Sequence, residues 1–511
     1  MLMLLGIEWG LPNVESWNGD DLSPTKPLRV VHDWWRGWHK YPYLHWWLNA
    51  LLYAPYVVVL GVTGQVDLGC FPRIVPGCFR APYRDLSVFM VLSRLLSVAM
   101  ALGVVLATER LARALHGDRA AALAAAAVCA ACATLVAFSH TANLDVPVAF
   151  WFTASAVAGV HVWRRGTLAD HVAFGALAGC ALATKDAIGG AYVLPGLALA
   201  ALRLRRLASE RDLRGVALAG AALRDGRLLA LAALPVGIFL VVQNALLNPG
   251  GLVEHVRFWV EGSPVLDRYR ASARGPLHFA WRSWLGVEAG LGAPMAALAL
   301  AALVLAPLRH RALAVLWLPV ASYGAVSMAP NFVEPRILLP LVPLLAVAVG
   351  ALAVDVVRRV GRLRPLAAAA FAAVFAFELG VGLNADLHLL RDPRYEAERW
   401  IAGHVPRDAR IAGLGPPAFL PRLERLGYAP TWFEPDEIRP EAIEGRGFEY
   451  AVLTRPYHPS SDKAWQEALR SGATGATVVF DAHPVTALDR WFPTRLHPGL
   501  VRPRITIVRL R

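Results

Sequence analysis

Long apolar runs alternate with short arginine-rich segments over most of this chain, and this alternation most constrains its fold. Many of the runs approach the roughly 20 residues that a helix needs to cross a bilayer. Of the 511 residues, 56% are hydrophobic and only 17% are charged, which leaves too little charged surface for a soluble domain of this length. The sequence therefore predicts a polytopic helical membrane protein, because a helix pairs its own backbone groups inside lipid.

The distribution of arginine predicts the topology. The net charge of +13 could indicate a nucleic-acid partner. The arginines cluster between apolar runs, however, as they do in cytoplasmic loops, and we predict no nucleic acid. If five such segments lie in the cytoplasm, the spans between them cross the membrane in alternating directions without conflict. The five segments are 110–119, 164–165, 203–227, 309–311 and 358–364. The predicted spans are 87–108, 120–138, 144–163, 171–184, 187–203, 226–244, 286–306, 312–329, 337–355 and 364–383.

Two N-terminal features depart from this alternation. The run at 43–62 is rich in Trp and Tyr, which favour the membrane interface, and a crossing there would put Arg110 on the wrong side. We predict a juxtamembrane or re-entrant helix on the outer side. Cys70 and Cys78 then lie in an outer loop, where an oxidising compartment would allow a disulfide. Before this helix, "MLMLLGIEW" is about half a span, so we expect a truncated first helix and favour a chain start that is placed too late.

The composition changes near residue 385. "DPRYEAERWIAGHVPRDARIAGLG" is typical of an amphipathic helix and a short strand, and "FEYAVLTRPY", "ATVVFDA" and "RITIVRL" are further strand candidates. The predicted organisation is an all-α membrane domain at 1–384, with about 10–11 transmembrane helices of which the first is truncated, followed by a small extracytoplasmic α/β domain at 385–511. We expect a multi-pass protein of the cell (inner or plasma) membrane whose C-terminal domain lies on the extracytoplasmic side.

The unusual polar residues all fall at the predicted outer face, where charged groups that line a water-filled cavity often mark function. Convergent carboxylates and cations suit a substrate with a phosphate head and a lipid tail. The cations would hold the phosphate, and a carboxylate such as Asp20 would accept a proton from an attacking hydroxyl. The candidates are Asp20, Asp21, His39, Lys40, His140, Asp145, Lys185, His255, Glu334 and Arg336.

Each candidate also has a simpler structural explanation. An Asp-Asp pair is commonly a solvated turn, a Lys or Arg at a span end snorkels to the interface, and a lone histidine is usually a packing or solvated residue. No His, Cys or Asp cluster has the spacing of a strong metal site, and there is no Gly-rich nucleotide loop of the Walker or Rossmann type. A nucleotide-sugar or ATP as direct substrate is therefore unsupported, while a divalent metal ion stays open.

Seven short motifs follow one another across residues 15–345: "NGDDLSP", "HKYPYLHWW", "LSRLLSVAM", "ERLARALHGDRA", "HTANLDVP", "ATKD" and "PRILLPLVP". In this order they resemble the motifs of GT-C class membrane glycosyltransferases. The resemblance is closest to the polyprenyl- or dolichyl-phosphate-mannose protein mannosyltransferase family (glycosyltransferase family 39) and its relatives, including the lipid A aminoarabinose transferase.

The resemblance implies a GT-C fold and a sugar donor carried on polyprenyl phosphate. It implies inverting transfer to an extracytoplasmic acceptor, which would be a protein, a lipid or an envelope glycan. By this resemblance Asp20, beside Asp21, is the catalytic base, and Asp145 is a second acidic position that orients the acceptor or a metal. Lys40 matches a residue that binds the lipid phosphate, and His39 stands where the aminoarabinose transferase has a glutamate.

Three other function classes stay open at this stage. A transporter or flippase of a lipid-linked or small polar substrate would carry ionisable groups near the midplane on broken helices, whereas the predicted spans are nearly free of them. An oligosaccharide ligase with a lipid-diphosphate donor is the alternative within the enzyme class. A purely structural scaffold with an outer domain is the third.

Overall fold

The apolar runs form helices in the computed structural model, which describes residues 2–18, 21–71, 73–262, 275–328, 333–455, 461–495 and 503–510. Within these ranges seven helices are long and apolar enough to cross a membrane, or up to ten if each of three bent helix pairs forms one span. The predicted polytopic helical class is therefore confirmed. The helices before the sheet domain are α1 (Thr25–Leu28), α2 (Val30–Arg36), α3 (Leu44–Val62), α4 (Pro82–His116), α5 (Arg119–Ala131), α6 (Ala133–Ser139), α7 (Asp145–Arg164), α8 (Leu168–Thr184), α9 (Val193–Arg211), α10 (Gly215–Leu223), α11 (Gly226–Val242), α12 (Pro249–Arg257), α13 (Gly275–Leu291), α14 (Ala293–Arg309), α15 (Trp317–Met328), α16 (Val342–Arg359) and α17 (Arg364–Leu390).

The predicted span at 286–306 is not one continuous helix, because this segment is shared by two helices. Helices α13 and α14 meet at a bend of 117°. Gly292 at the bend has a φ of +73°, a backbone conformation that glycine adopts without steric cost. Pro294 then occupies the first turn of α14, where its missing N–H leaves no helical hydrogen bond unmade. Helix α13 begins at Gly275. Its first part thus lies in the segment between the predicted spans 226–244 and 286–306, where the sequence predicts an outer loop.

Polar contacts sort the loops into two groups, one at each end of the helix bundle. Among the arginine-rich segments, Arg358 pairs with Asp118 at 2.6 Å and Arg203 pairs with Asp225 at 2.7 Å. Among the loops predicted to lie on the outer side, Lys185 pairs with Asp145 at the start of α7. This grouping agrees with the alternation expected from the arginines. The compartment that each end faces stays a prediction of the charge distribution.

Helix α3 lies against the first third of α4. Asn49 and Tyr53 both hydrogen-bond Ser93, and Tyr56 donates to Asp85 at 3.0 Å. Because α4 is 35 residues long, these contacts keep α3 near the start of that helix. By length and composition α3 is also one of the seven candidate spans, so its juxtamembrane or re-entrant placement stays a prediction. The following loop is closed by a disulfide between its two cysteines, Cys70 and Cys78, as the sequence allows.

The C-terminal segment forms a five-stranded sheet with helices on both faces, as the predicted α/β class requires. Strands β1 and β2 and strands β1 and β3 pair in parallel, whereas β5 runs antiparallel to β3 and β4, in the order β2-β1-β3-β5-β4. The strands are β1 (Ile411–Leu414), β2 (Thr431–Phe433), β3 (Tyr450–Arg455), β4 (Thr477–Ala482) and β5 (Arg504–Arg509), and the helices are α18 (Pro393–His404), α19 (Pro440–Ile443) and α20 (Lys463–Ser471).

The first polar segment of the chain is clamped between the helix bundle and the sheet domain. The ring of Trp17 lies between two guanidinium groups, with Arg394 at 4.2 Å and Arg422 at 4.7 Å from its centroid. Such cation–π contacts are strong where the cation is desolvated. Arg394 also forms a fully buried ion pair with Asp392 at 2.6 Å. The C-terminal domain therefore fixes the backbone just before the acidic pair of the first segment.

Replacing Arg394 with methionine should destabilise the protein by about 3–5 kcal/mol, because it leaves the buried Asp392 carboxylate without its cation. Thermal unfolding of the purified protein in detergent would show a lower Tm. Arg391→Met is the matched control, since Arg391 is exposed only three residues away, and it should leave the Tm unchanged. Equal Tm values for the two variants would mean that the buried pair contributes nothing to stability.

Candidate active site

A polar pocket opens where four distant parts of the chain meet: the segment around α1 and α2, the loop before α7, the junction after α8 and the segment before α16. Six residues predicted from the sequence line it, together with a lysine that was not predicted. These charged and titratable lining residues are Asp21, Lys26, His39, Lys40, Asp145, Lys185 and Arg336. The structure therefore brings most of the candidates into one place.

Lysine is concentrated at this pocket. The chain has 51 lysine and arginine residues, and only four of them are lysines. Three of these four, Lys26, Lys40 and Lys185, line the pocket. Lysine carries a compact charge on a flexible stem, which suits a phosphate held as a point charge. This scarcity is a sequence signal that would have identified Lys26.

Lys185 and Asp145 form the ion pair at the floor of the pocket. The ammonium donates to Asp145 Oδ1 at 2.5 Å, and the side chains are 16% and 2% exposed. Asp145 is the first residue of α7, and its backbone N–H donates to Asn143 Oδ1 at 2.8 Å. Burial alone would lower the pKa of Lys185, but Asp145 and Tyr41 outweigh it and raise that pKa. Lys185 therefore stays charged at physiological pH.

The Tyr41 ring lies close to two of the cations. Lys40 Nζ lies 5.0 Å and Lys185 Nζ lies 5.7 Å from its centroid. An aromatic face attracts a cation without neutralising it. The ring thus stabilises both ammonium groups without using their N–H donors, one of which Lys185 gives to Asp145.

His39 is held neutral at the pocket wall. Its Nδ1 accepts from the backbone N–H of Tyr41 at 3.1 Å, and its ring packs edge-on against Trp46. Burial, reinforced by the nearby Lys26 and Lys40, lowers the pKa of His39 to about 3. A neutral imidazole among lysines adds no positive charge to the pocket.

His255 supports the pocket from behind. Its Nε2 lies 2.9 Å from Asp186 Oδ2, and its Nδ1 lies 2.9 Å from the carbonyl oxygen of His39. Both ring nitrogens face acceptors, so the fully bonded form is the imidazolium. Burial alone would lower the pKa of His255, but the bonds to Asp186 and His39 outweigh it and raise that pKa. His255 therefore joins α12 to the segment that carries Lys40.

Replacing His255 with glutamine should cost more stability at low pH than at high pH. A raised folded-state pKa adds stability below the unfolded value of about 6.5, and this stability is lost as pH rises through the folded pKa. The Tm difference between wild type and His255→Gln should therefore be larger near about pH 6 than near about pH 9. His404→Gln, at an exposed position, is the control. A difference that grows with pH would contradict the ion pair.

The first acidic segment reaches the pocket through Asp21. Ser16 Oγ donates to Asp21 Oδ2 at 2.5 Å. The backbone N–H of Leu22 donates to the Ala142 carbonyl at 3.2 Å, which ties this segment to the loop before α7. Asp20, the predicted base, lies outside the described residues, directly before Asp21 in the chain.

Two more candidates, besides His255, lie outside the pocket wall. His140 is fully buried, with Nδ1 3.8 Å from Asp386 Oδ1. Glu334 accepts from Arg336 Nε at 2.8 Å and so orients that guanidinium.

Comparisons with known proteins agree with the predicted resemblance. Residues 82–246 match the sequence model of the dolichyl-phosphate-mannose-protein mannosyltransferase family. This match confirms the resemblance over that part of the chain and the predicted glycosyltransferase class. No sequence among the curated proteins matches.

Three solved structures are among those that this chain matches. ArnT from Cupriavidus metallidurans bound to undecaprenyl phosphate has 14% identity and a TM-score of 0.48, over 99% of this chain and 96% of that one. The S. cerevisiae protein O-mannosyltransferase Pmt1–Pmt2 complex has 18% identity and a TM-score of 0.34, over 47% and 31%. The oligosaccharyltransferase AglB from Archaeoglobus fulgidus has 10% identity and a TM-score of 0.45, over 88% and 68%.

Proposed function

We propose that this membrane protein transfers a sugar from a polyprenyl-phosphate donor to an acceptor at the extracytoplasmic face. The observation that carries the proposal is the convergence of Lys26, Lys40, Lys185 and Arg336 with Asp21 and Asp145 in one pocket. The description of the family that residues 82–246 match names dolichyl-phosphate-mannose. This compound is a sugar carried on a lipid phosphate, as a polyprenyl-phosphate donor is.

The cations would stabilise the leaving group. When the bond between the anomeric carbon and the phosphate oxygen breaks, the bonding electrons stay with the phosphate and its negative charge increases. Lys40 and Arg336 line the same pocket and would donate to this oxygen, and Lys185 adds a charge that its own carboxylate only partly offsets. Donors aimed at developing charge in a water-poor site stabilise the transition state.

A carboxylate of the first segment would act as the base. It takes the proton of the acceptor hydroxyl as the oxygen attacks the anomeric carbon from the face opposite the phosphate, which inverts that carbon. Asp145 is less suited to this role because Lys185 already compensates its charge at 2.5 Å. We assign the base to Asp20, the neighbour in sequence of the pocket residue Asp21, and give Asp145 the role of positioning Lys185.

The lipid tail would lie along α3. This helix begins at the pocket, where Trp46 is part of the wall, and its far part is apolar and exposed at Leu51, Val58 and Val62. An isoprenoid chain gains free energy by covering such surface. The C-terminal domain, which clamps Trp17 in the first segment, would admit or select the acceptor from the extracytoplasmic side.

Reconstitution with a panel of donors tests the proposal. The protein would be placed in liposomes that carry polyprenyl-phosphate sugars, polyprenyl-diphosphate sugars or no donor, with crude envelope extract as acceptor. Mass spectrometry would measure the release of polyprenyl phosphate. Release from a monophosphate donor that depends on the extract supports the proposal. Release only from diphosphate donors would make the protein an oligosaccharide ligase, and donor movement between leaflets without release would make it a flippase.

A further inference from the structure

A second cluster of polar side chains lies at the arginine-rich end of the helix bundle. Among the residues that the structure describes, one group of His, Cys, Asp and Glu side chains brings three possible metal ligands together: His116, His310 and Asp355. His116 ends α4, His310 follows α14, and Asp355 lies in α16. These positions lie at the end of the helix bundle that carries the Arg358–Asp118 pair. The lysine-lined pocket lies at the opposite end.

One nitrogen of each histidine and both carboxylate oxygens of Asp355 lie close together. His116 Nε2 lies 3.2 Å from His310 Nε2 and 3.5 Å from Asp355 Oδ1, and His310 Nε2 lies 2.7 Å from Asp355 Oδ2. Bonds of about 2.0–2.1 Å in a tetrahedral zinc site place neighbouring ligand atoms about 3.3 Å apart. The two distances from His116 match this separation closely.

Hydrogen bonding alone does not satisfy this geometry. If His310 Nε2 donates to Asp355 Oδ2 at 2.7 Å, that nitrogen has no lone pair for an N–H of His116. The other acceptor for that N–H, Asp355 Oδ1, lies at 3.5 Å, beyond the usual hydrogen-bond distance. A cation, in contrast, accepts a lone pair from each of the three atoms at once. Two imidazoles and a carboxylate are ligands that suit borderline divalent transition metals.

The surroundings permit a cation despite the nearby arginines. Arg358 is paired with Asp118, and Arg113 is paired with Glu109. The side chains of His116 and Asp355 are 5% and 11% exposed, whereas His310 is 31% exposed and leaves a route to solvent.

We propose that His116, His310 and Asp355 bind one divalent transition-metal ion such as Zn²⁺, which ties together the ends of α4, α14 and α16. Three protein ligands leave a fourth position for water. Because the cluster stands apart from the proposed catalytic pocket, the ion has a structural role in holding these helix ends.

Metal binding by the full-length protein tests this site. The protein would carry an affinity tag without histidine, and Zn²⁺ bound after equilibrium dialysis would be measured by elemental mass spectrometry. Wild type should bind about one equivalent, and His310→Ala should bind more than about tenfold more weakly. His161→Ala, which removes a histidine from the same end of the bundle but outside the cluster, should bind like wild type.

Two further readouts guard against a folding defect. Asp355→Asn keeps the size of the side chain and should also lose binding while it elutes as a monodisperse peak. Co²⁺ should give the visible absorption of a tetrahedral site in wild type only, and Zn²⁺ should raise the Tm of wild type but not of either cluster variant. Equal Zn²⁺ binding by wild type and His310→Ala, or no binding by wild type, would overturn the proposal and leave a hydrogen-bonded cluster.

Discussion

Replacing Asp20 with asparagine should lower the rate of sugar transfer by about 10²–10⁴-fold, the contribution of a positioned general base. The amide keeps the size of the side chain but does not take the proton of the acceptor hydroxyl. Donor binding should change little, because the cations of the pocket remain. The measurement is release of polyprenyl phosphate by the reconstituted protein under single-turnover conditions.

Two matched variants locate the base. Asp436→Asn changes an exposed carboxylate of the C-terminal domain and should leave the rate unchanged. Asp21→Asn should lower the rate less than Asp20→Asn does, since Asp21 already accepts from Ser16 at 2.5 Å. If Asp21→Asn alone abolished release, the base would be Asp21 and the assignment of Asp20 would be wrong.

Replacing Lys185 with methionine should lower transfer by about 10²–10³-fold, the usual effect of removing one donor from a developing charge. The variant also leaves Asp145, 2% exposed, without its cation, so the pocket loses a positive charge and gains an uncompensated negative one. The first change removes an attraction for the phosphate, and the second adds a repulsion. The exposed Lys463, the one lysine outside the pocket, provides the control as Lys463→Met.

A double variant separates the two effects of Lys185. Lys185→Met with Asp145→Asn removes the buried pair as a whole, which restores much of the stability that the single variant loses. Transfer should stay low in the double variant, because the cation is still missing. If the double variant recovered wild-type transfer, Lys185 would serve only to neutralise Asp145, and the phosphate would be held by the other cations.

The positions of the arginines predict which loops share an end of the helix bundle, because positively charged loops are retained in the cytoplasm when a membrane protein inserts. The alternation places Asp145, Lys185 and Arg336 at one end of the bundle, and the structure brings them into one pocket with Lys40. The four predicted strand segments all form strands. β2 was missed because three residues are too short to show an alternating pattern.

The features that sequence reasoning missed depend on contacts between distant segments. The break at Gly292 sits inside a run whose one charged residue is Glu288, and hydropathy does not detect a bend. Lys26 carries a sequence signal in the scarcity of lysine, but the sequence does not reveal that α1 and α2 bring it beside Lys40 and Lys185. His116, His310 and Asp355 lie so far apart in the chain that no ligand spacing could indicate their cluster.

Binding of polyprenyl phosphate to the purified protein tests the central claim, that the pocket holds a lipid phosphate, most directly. Polyprenol of the same length is the matched ligand without the charge. Wild type should prefer the phosphate by about 10-fold to 100-fold or more, since each charge-assisted hydrogen bond contributes about 1.5–3 kcal/mol. Lys40→Met and Arg336→Met should reduce this preference, and Lys463→Met should preserve it. Equal affinity for phosphate and alcohol, or an undiminished preference in both pocket variants, would contradict the account.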